Sequence, residues 1–189
     1  YMILGWWLEK VGEDSLNHLF EAQVAKPLKM KNTRYIPING WDGVGAFPCQ
    51  NTMAPTEICP GRKRLAHGEV HDENAFVIGG IAGHAGLFST AEDMGKWADT
   101  LMKCYNKNGF ISKKTIRSFW APVPGPDDSS WRMGFDGVSM GSSSGGVLIS
   151  PSGICHLGFT GTSIWIDPDR RATAVLLSNR VHPNRDNNQ

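Results

Sequence analysis

Apolar and polar positions in the first thirty residues recur at helical spacing. Ile3, Leu4, Trp7, Leu8 and Val11 follow a 3.6-residue repeat, and Gly12 is placed to stop the helix. Leu16, Leu19, Phe20 and Val24 form a second helical run that Pro27 ends. From Asn32 to His67 the periodicity fades under Pro37, Gly40, Gly43, Pro48, Pro55 and Pro60. An irregular segment of that length inside a domain tends to be functional. Val70 to Phe88 is apolar and glycine-rich. Ser89-Thr90-Ala91-Glu92 then predicts a capping box, opening a helix that buries Met94, Trp97, Ala98, Leu101 and Met102. A shorter helix is predicted from Ser112 towards Trp120.

Beyond Pro122 the pattern changes to strand and turn. Trp131 to Phe135, Val147 to Ser150 and Ile154 to His156 read as short strands. Ser163 to Ile166 runs into a turn at Asp167-Pro168-Asp169, and Ala172 to Leu177 reads as a buried strand. Short strands joined by tight turns predict an antiparallel meander, and helices first with strands second predict an α+β fold. The expected organisation is one partial domain over 1–189: helix and loop over 1–128, antiparallel strands over 129–183, and a loose tail at 184–189.

Composition narrows the function classes. The chain has 189 residues, 40% of them apolar and 20% charged, which excludes disorder as the dominant state. Nineteen Lys and Arg against 18 Asp and Glu leave a net charge of +1, so no polyanion footprint is present and nucleic acid is not an expected partner. Cys49, Cys59, Cys104 and Cys155 form no C-x-x-C pair. Cys49 and Cys59 could close a disulfide in an oxidising compartment; four free thiols is the alternative. The apolar stretch Ala75 to Ala91, without formal charge, is broken by Gly79, Gly80, Gly83 and Gly86 and is too short for a transmembrane segment. The sequence opens on Tyr1 in mid-pattern, which predicts a processed or truncated chain.

Three constellations could carry chemistry. Gly137-Val138-Ser139-Met140-Gly141 is a formal G-x-S-x-G, with Asp167 and His182 following in hydrolase order. That motif needs a strand feeding a strained turn that opens a helix, whereas Ser142-Ser143-Ser144-Gly145-Gly146 follows here, so a flexible hairpin loop is the better reading. His67-x-x-x-His71-Asp72 with His84 could hold a metal, but Gly68 stands where H-E-x-x-H places its glutamate. These histidines are read as loop-orienting groups, and neither metal nor cofactor is expected. The third constellation is His156-Leu157-Gly158-Phe159-Thr160-Gly161. A polar strand residue and then Gly let a substrate approach the backbone, and the next N–H can face a developing oxyanion. His84-Ala85-Gly86 matches the same pattern, and from the pattern alone an ordinary strand with a glycine bend is the better reading.

Gly83-His84-Ala85-Gly86-Leu87-Phe88-Ser89-Thr90-Ala91-Glu92-Asp93 resembles the G-x-x-G-L-x-S-T-A-x-D segment of serine hydrolases related to class C β-lactamases and penicillin-binding proteins. Pro27-Leu28-Lys29-Met30-Lys31-Asn32-Thr33 is similar to the family's P-L-G-M-x-x-T, with Lys29 for Gly. His156-Leu157-Gly158 is similar to its K-T-G or H-T-G strand, with Leu157 for Thr. Val70-His71-Asp72-Glu73-Asn74-Ala75 and Asn179-Arg180-Val181-His182-Pro183 resemble segments of one bacterial branch. The matches run in family order along nearly the whole chain.

The resemblance implies a β-lactamase/transpeptidase-like fold, seen in part, and acyl transfer on a small-molecule or peptide-like substrate. The family signature is S-x-x-K, a second polar motif and K-T-G. No serine of this chain has Lys three residues later. Tyr1-Met2-Ile3-Leu4-Gly5 resembles the helix start that follows Y-x-N, which puts both missing motifs upstream, in an N-terminal half of the same fold. The resemblance implies that His156 hydrogen-bonds the tyrosine or the substrate. It further implies that the backbone N–H of Phe159 forms half of the oxyanion hole, and that Gly158, Thr160, His71 and Asp72 contact substrate. Lys in the K-T-G position is cationic at pH 7, whereas an unperturbed His is mostly neutral and grips a penicillin-type carboxylate less strongly. The expectation is an esterase or cell-wall peptidase-like hydrolase, inactive as the isolated chain, and in a bacterium periplasmic, secreted or envelope-bound. Non-catalytic binding and a histidine-ligated metal hydrolase are the alternatives.

Overall fold

The computed structural model describes residues 1–38, 52–125, 129–139 and 143–186. The chain divides into two compact units, Tyr1–Asp93 with Ser178–Gln189, and Met94–Leu177. Short strands also lie within residues 1–128, and the compact units part at Asp93 and Leu177.

In the first unit, α1 (Met2–Gly12) ends at Glu13, which takes a left-handed conformation. Gly5 is its one buried residue, while Ile3, Trp6, Trp7 and Val11 are exposed. Gly5 is buried because α1 lies backbone-to-backbone on the glycine-rich segment: a Cβ there would stand 3.1 Å from the Gly83 nitrogen, and one on Gly83 would collide with the Tyr1 carbonyl oxygen. The second helical run forms as α2 (Leu16–Phe20), capped by Ser15, and continues as a wider π-helical turn over Glu21–Ala25. Two short antiparallel ladders follow, β1 (Arg34–Tyr35) with β4 (Leu87–Phe88), and β2 (Ile58–Cys59) with β3 (Arg64–Leu65). Between β3 and β4 lies α3 (Glu73–Val77), capped by the Asp72 carboxylate, which accepts the Ala75 N–H.

The cap of the long helix α4 (Ala91–Asn106) falls one residue later than expected. Thr90, not Ser89, accepts the Asp93 N–H, at 3.3 Å. Ser89 bonds the Thr33 hydroxyl instead, at 2.7 Å. Asp93 is fully buried and accepts both the Asn32 N–H (2.7 Å) and the Thr33 hydroxyl (3.0 Å). Two sequence motifs sixty residues apart, the segment ending in Thr33 and the segment ending in Asp93, thus meet through one charge-assisted set of hydrogen bonds. Lys29, which stands where the related motif has Gly, keeps the left-handed backbone that Gly favours, with φ 55°.

In the second unit, α4 and α5 (Lys113–Trp120) cover one face of a four-stranded antiparallel sheet. The strand order is β5 (Asp136–Gly137), β6 (Ile154–Gly158), β7 (Thr162–Asp167) and β8 (Ala172–Leu177). Ala98, Leu101, Met102, Cys104, Ile116 and Trp120 pack on Ile154, Ile164 and Ile166, as the helical spacing predicts. Tyr105 stacks on Trp120 at 4.9 Å, and Phe135 meets Trp120 edge-on. Three strand expectations fail. Trp131 to Phe135 forms an isolated bridge at Trp131 followed by bends, and β5 begins only at Asp136. Val147 to Ser150 forms turns with Val147 in solvent, since β6 already has β5 and β7 as neighbours. Ala172 to Leu177 is the sheet's edge rather than a buried strand, and Leu176 is 62% exposed. An apolar run cannot report whether a strand has one neighbour or two. The turn at Asp167 forms as expected, its buried carboxylate accepting the N–H groups of Ser150, Asp169 and Arg170 at 2.8, 3.1 and 3.0 Å.

Replacing Lys29 with Gly relieves the left-handed strain and should raise stability by about 1 kcal/mol, read from denaturant midpoints. Burial pushes the Asp167 carboxyl up, but its N–H donors outweigh this and hold it below the ordinary Asp range. The sign follows: this stabilisation is complete above the unfolded Asp pKa of about 4 and is lost as pH falls through the lower folded value. Acid titration of unfolding should show a loss in that window that is absent in Asp167→Asn, a variant itself destabilised by about 3 kcal/mol at pH 7.

Candidate functional site

The residues expected to carry chemistry fall in both units. His156, Gly158, Phe159 and Thr160 belong to the hairpin of β6 and β7. Alternation along β6 decides which face each side chain takes. His156 pairs with Ile164, which pairs with Val175, so it stands on the helix-covered face, at the exposed end of the strand. Leu157 pairs with Ser163, opposite Leu176, on the other face. The residue that replaces the family's Thr therefore does not share a face with His156. Gly158 leaves room for the Thr162 hydroxyl, which a Cβ there would force to turn away. Phe159 and Thr160 form the turn, closed by the Gly161 N–H on the Gly158 carbonyl at 3.0 Å, with Gly161 at φ 98°. A strand that ends in a residue without a side chain, beside an exposed imidazole, is a geometry that brings a carbonyl substrate against backbone N–H groups.

His71 and Asp72 belong to the first unit. His71 is 7% exposed, and its Nε2 lies 2.7 Å from Oε2 of Glu57, itself 1% exposed. That imidazole is spent on a buried carboxylate and presents no ring nitrogen there to a substrate. Arg185 completes the cluster, its Nε and Nη2 donating to Glu57 at 2.9 and 2.7 Å, its backbone N–H to Oε1 at 2.9 Å, and Nη2 also to Glu73. Hydrogen bonding from Arg185 holds the Glu57 carboxyl down at about 2, against the effect of burial. On its other side the 69–72 loop is gripped by Arg62, which donates to the carbonyls of Val70 and His71 at 2.8 and 2.6 Å and stacks on Phe76. Asp72 Oδ1 accepts from both the Ala75 N–H and Nε2 of His84, the latter at 2.9 Å.

The three histidines of the metal alternative use Nε2 on three different partners: His67 on the Met53 carbonyl, His71 on Glu57 and His84 on Asp72. They orient loops. Glu57, Arg62 and Arg185 escape detection in the sequence because their partners lie 14, 8 and 128 residues away. Their one local trace is Glu57 itself, a charged residue immediately before the strand β2. Residues 184–186, expected to be loose, are tied down by Arg185; 187–189 lie outside the described residues. Cys59 is a free, buried thiol, and Cys49 lies outside the described residues, as do Met140 and Gly141 of the formal G-x-S-x-G.

The geometry places the chain among proteins of the β-lactamase/transpeptidase fold. The Beta-lactamase family model matches residues 1–189, and the chain belongs to that family. It is 32% identical over 203 residues to proteins of Salmonella gallinarum and Salmonella typhi that carry the name of D-alanyl-D-alanine carboxypeptidase. The match takes in 96% of this chain and 44% of theirs, so the chain spans less than half the length of these relatives. Among solved structures it resembles a penicillin-binding protein of Bacillus halodurans (TM-score 0.62, 17% identity, 93% of this chain and 48% of that one). It also resembles a hydrolase with promiscuous acyltransferase activity (TM-score 0.60, 20% identity, 94% and 49%). These likenesses show the fold. Among the described residues no helix is long and apolar enough to cross a membrane.

Replacing Arg185 with Ala leaves the buried Glu57 carboxylate without its guanidinium and should cost about 3 kcal/mol of stability. Arg185→Lys should recover only part of this, because a point charge cannot reproduce the fork on both carboxylate oxygens. Urea unfolding of the three proteins reads both effects.

Proposed function

We propose that this chain is the oxyanion-stabilising portion of a serine hydrolase of the β-lactamase family that works by acyl transfer on an ester, amide or peptide. The observation that carries the reading is the β6–β7 hairpin, where exposed His156 stands two residues before Gly158, which ends β6, and the exposed turn at Phe159 follows. In this mechanism a serine activated by lysine, both contributed by S-x-x-K upstream of Tyr1, attacks the carbonyl, with the Y-x-N tyrosine relaying its proton. The Phe159 N–H receives the developing oxyanion. His156 holds the tyrosine or the substrate in place, and Gly158 and Thr160 shape the approach. Asp72 contributes through the His84 it orients, and His71 through the loop it anchors. The carboxypeptidase names of the relatives favour a peptide ending in D-alanine, and the neighbouring hydrolase favours esters. The chain's departures from the family pattern, Lys29 and Leu157, favour the non-catalytic alternative; against that weight, Lys29 keeps the backbone of a glycine and Leu157 faces away from His156.

A weak hydroxyl nucleophile needs an adjacent base, and this chain has no Ser–Lys pair at the required spacing. A fluorescent penicillin or fluorophosphonate should therefore leave the 189-residue chain unlabelled and label a polypeptide extended upstream. In the extended protein, His156→Ala should lower kcat/KM for a chromogenic ester or D-alanyl peptide about 100-fold. Labelling of Ser139 in the short chain would overturn the proposal.

A further inference from the structure

We propose that the exposed side of the α4–α5 helix pair is a docking surface for a bilayer rich in anionic phospholipid, an inference that goes beyond the acyl-transfer reading and does not rest on it. The net charge of +1 averages over an uneven distribution. Between Asp99 and Asp127 every formal charge is positive: Lys103, Lys107, Lys113, Lys114 and Arg117. The fold gathers these groups at one end of the pair. Lys103 and Lys107 lie one turn apart where α4 ends, the Lys107 N–H donating to the Lys103 carbonyl at 3.0 Å. Arg117 reaches the same end from α5. Its Nε donates to the Tyr105 carbonyl at 3.1 Å, and its guanidinium lies 4.7 Å from the centre of the Tyr105 ring. Lys113 and Lys114 open α5 one turn before Arg117, with the Lys113 N–H tied to the Asn108 side chain at 2.9 Å. Lys113 is half-buried and the other four are exposed. No ion pair joins any of the five to a carboxylate among the described residues.

The electrostatics of the fold itself account for only part of this. Lys103, Lys107 and Arg117 complement the negative end of the α4 dipole. Lys113 and Lys114 do the opposite: they stand in the first turn of α5, which has no acidic residue, against the positive end of that helix. Their charge weakens the helix that carries it, so its use lies outside the fold. The loop between the helices adds Phe110, 42% exposed, with Lys107 and Lys113 three residues to either side. Trp97 meets that ring edge-on at 6.5 Å and fixes its place. An exposed ring flanked by cations suits a headgroup layer, where lipid phosphates meet the ammonium and guanidinium groups and the ring enters the acyl boundary. A single-stranded nucleic acid would need successive rings on which to stack its bases, and this loop offers one.

The test is sedimentation of the complete protein with vesicles of phosphatidylcholine, alone or mixed with phosphatidylglycerol. Expected are binding to the mixed vesicles only, and its loss at high salt, which screens exposed charges. Lys107→Glu combined with Lys114→Glu should weaken binding at least about tenfold, because each basic group near an anionic surface adds to the attraction. Lys31→Glu combined with Lys63→Glu, an equal change of charge in the first unit, should leave it unaltered. Should the first pair of substitutions fold poorly, hydrogen exchange on the unaltered protein answers the same question: mixed vesicles must slow exchange over 107–114 and leave 58–65 unaffected. No binding to the mixed vesicles, equal binding to phosphatidylcholine alone, binding that survives the reversal at Lys107 and Lys114, or binding to single-stranded DNA in place of vesicles overturns the proposal.

Discussion

The buried carboxylate of Glu57 is the constraint on which the first unit depends. A charge taken out of water is tolerated only when its lone pairs are all met, and here Arg185 and His71 meet them. Satisfying that one group pulls together three stretches that are far apart in sequence: β2, the loop before α3, and the segment after β8. The Ile58 N–H on the Pro183 carbonyl (2.9 Å) and the Asn179 side chain on the Pro55 carbonyl (3.1 Å) extend the same seam. Because the carboxyl is held near pH 2, the network keeps its charge throughout the range in which a protein works.

The loop from Val70 to Asp72 gains its shape from this seam and not from its own sequence. Arg62 takes its carbonyls, His71 reaches inward, and Asp72 is left to cap α3 and to orient His84. A motif that reads as a row of functional groups is therefore divided by the fold. One member faces the core, and another faces the glycine-rich segment. The same division operates on the hairpin of the second unit, where alternation separates His156 from Leu157 although they are adjacent in the chain.

Much of the architecture was legible because it is local. The 3.6-residue repeat from Met94 to Met102, the Ser112 cap and the turn at Asp167 each depend on residues within a few positions of one another. The pattern His156-x-Gly158 was also open to an ordinary strand with a glycine bend, and the turn after Gly158 shows where β6 ends. The cap of α4 was misplaced by one residue because Ser89 and Thr90 are chemically interchangeable there, and only the distant Thr33 hydroxyl decides which of them turns away.

Beyond the class, which its motifs give by resemblance, the sequence by itself determined the main helices, the strand-forming segments of β6, β7 and β8, and the absence of a Ser–Lys pair within this chain. Those are properties of spacing and of residue type. Only the tertiary structure decided that β8 is an edge, that Asp93 joins two motifs, and that His71 is a buried partner instead of a surface one. It also decided that Arg185 anchors a segment read as a loose end. The physical reason is common to all four. Burial and ion pairing are set by which groups share a small volume of low dielectric, and that is fixed by contacts between residues tens to more than a hundred positions apart.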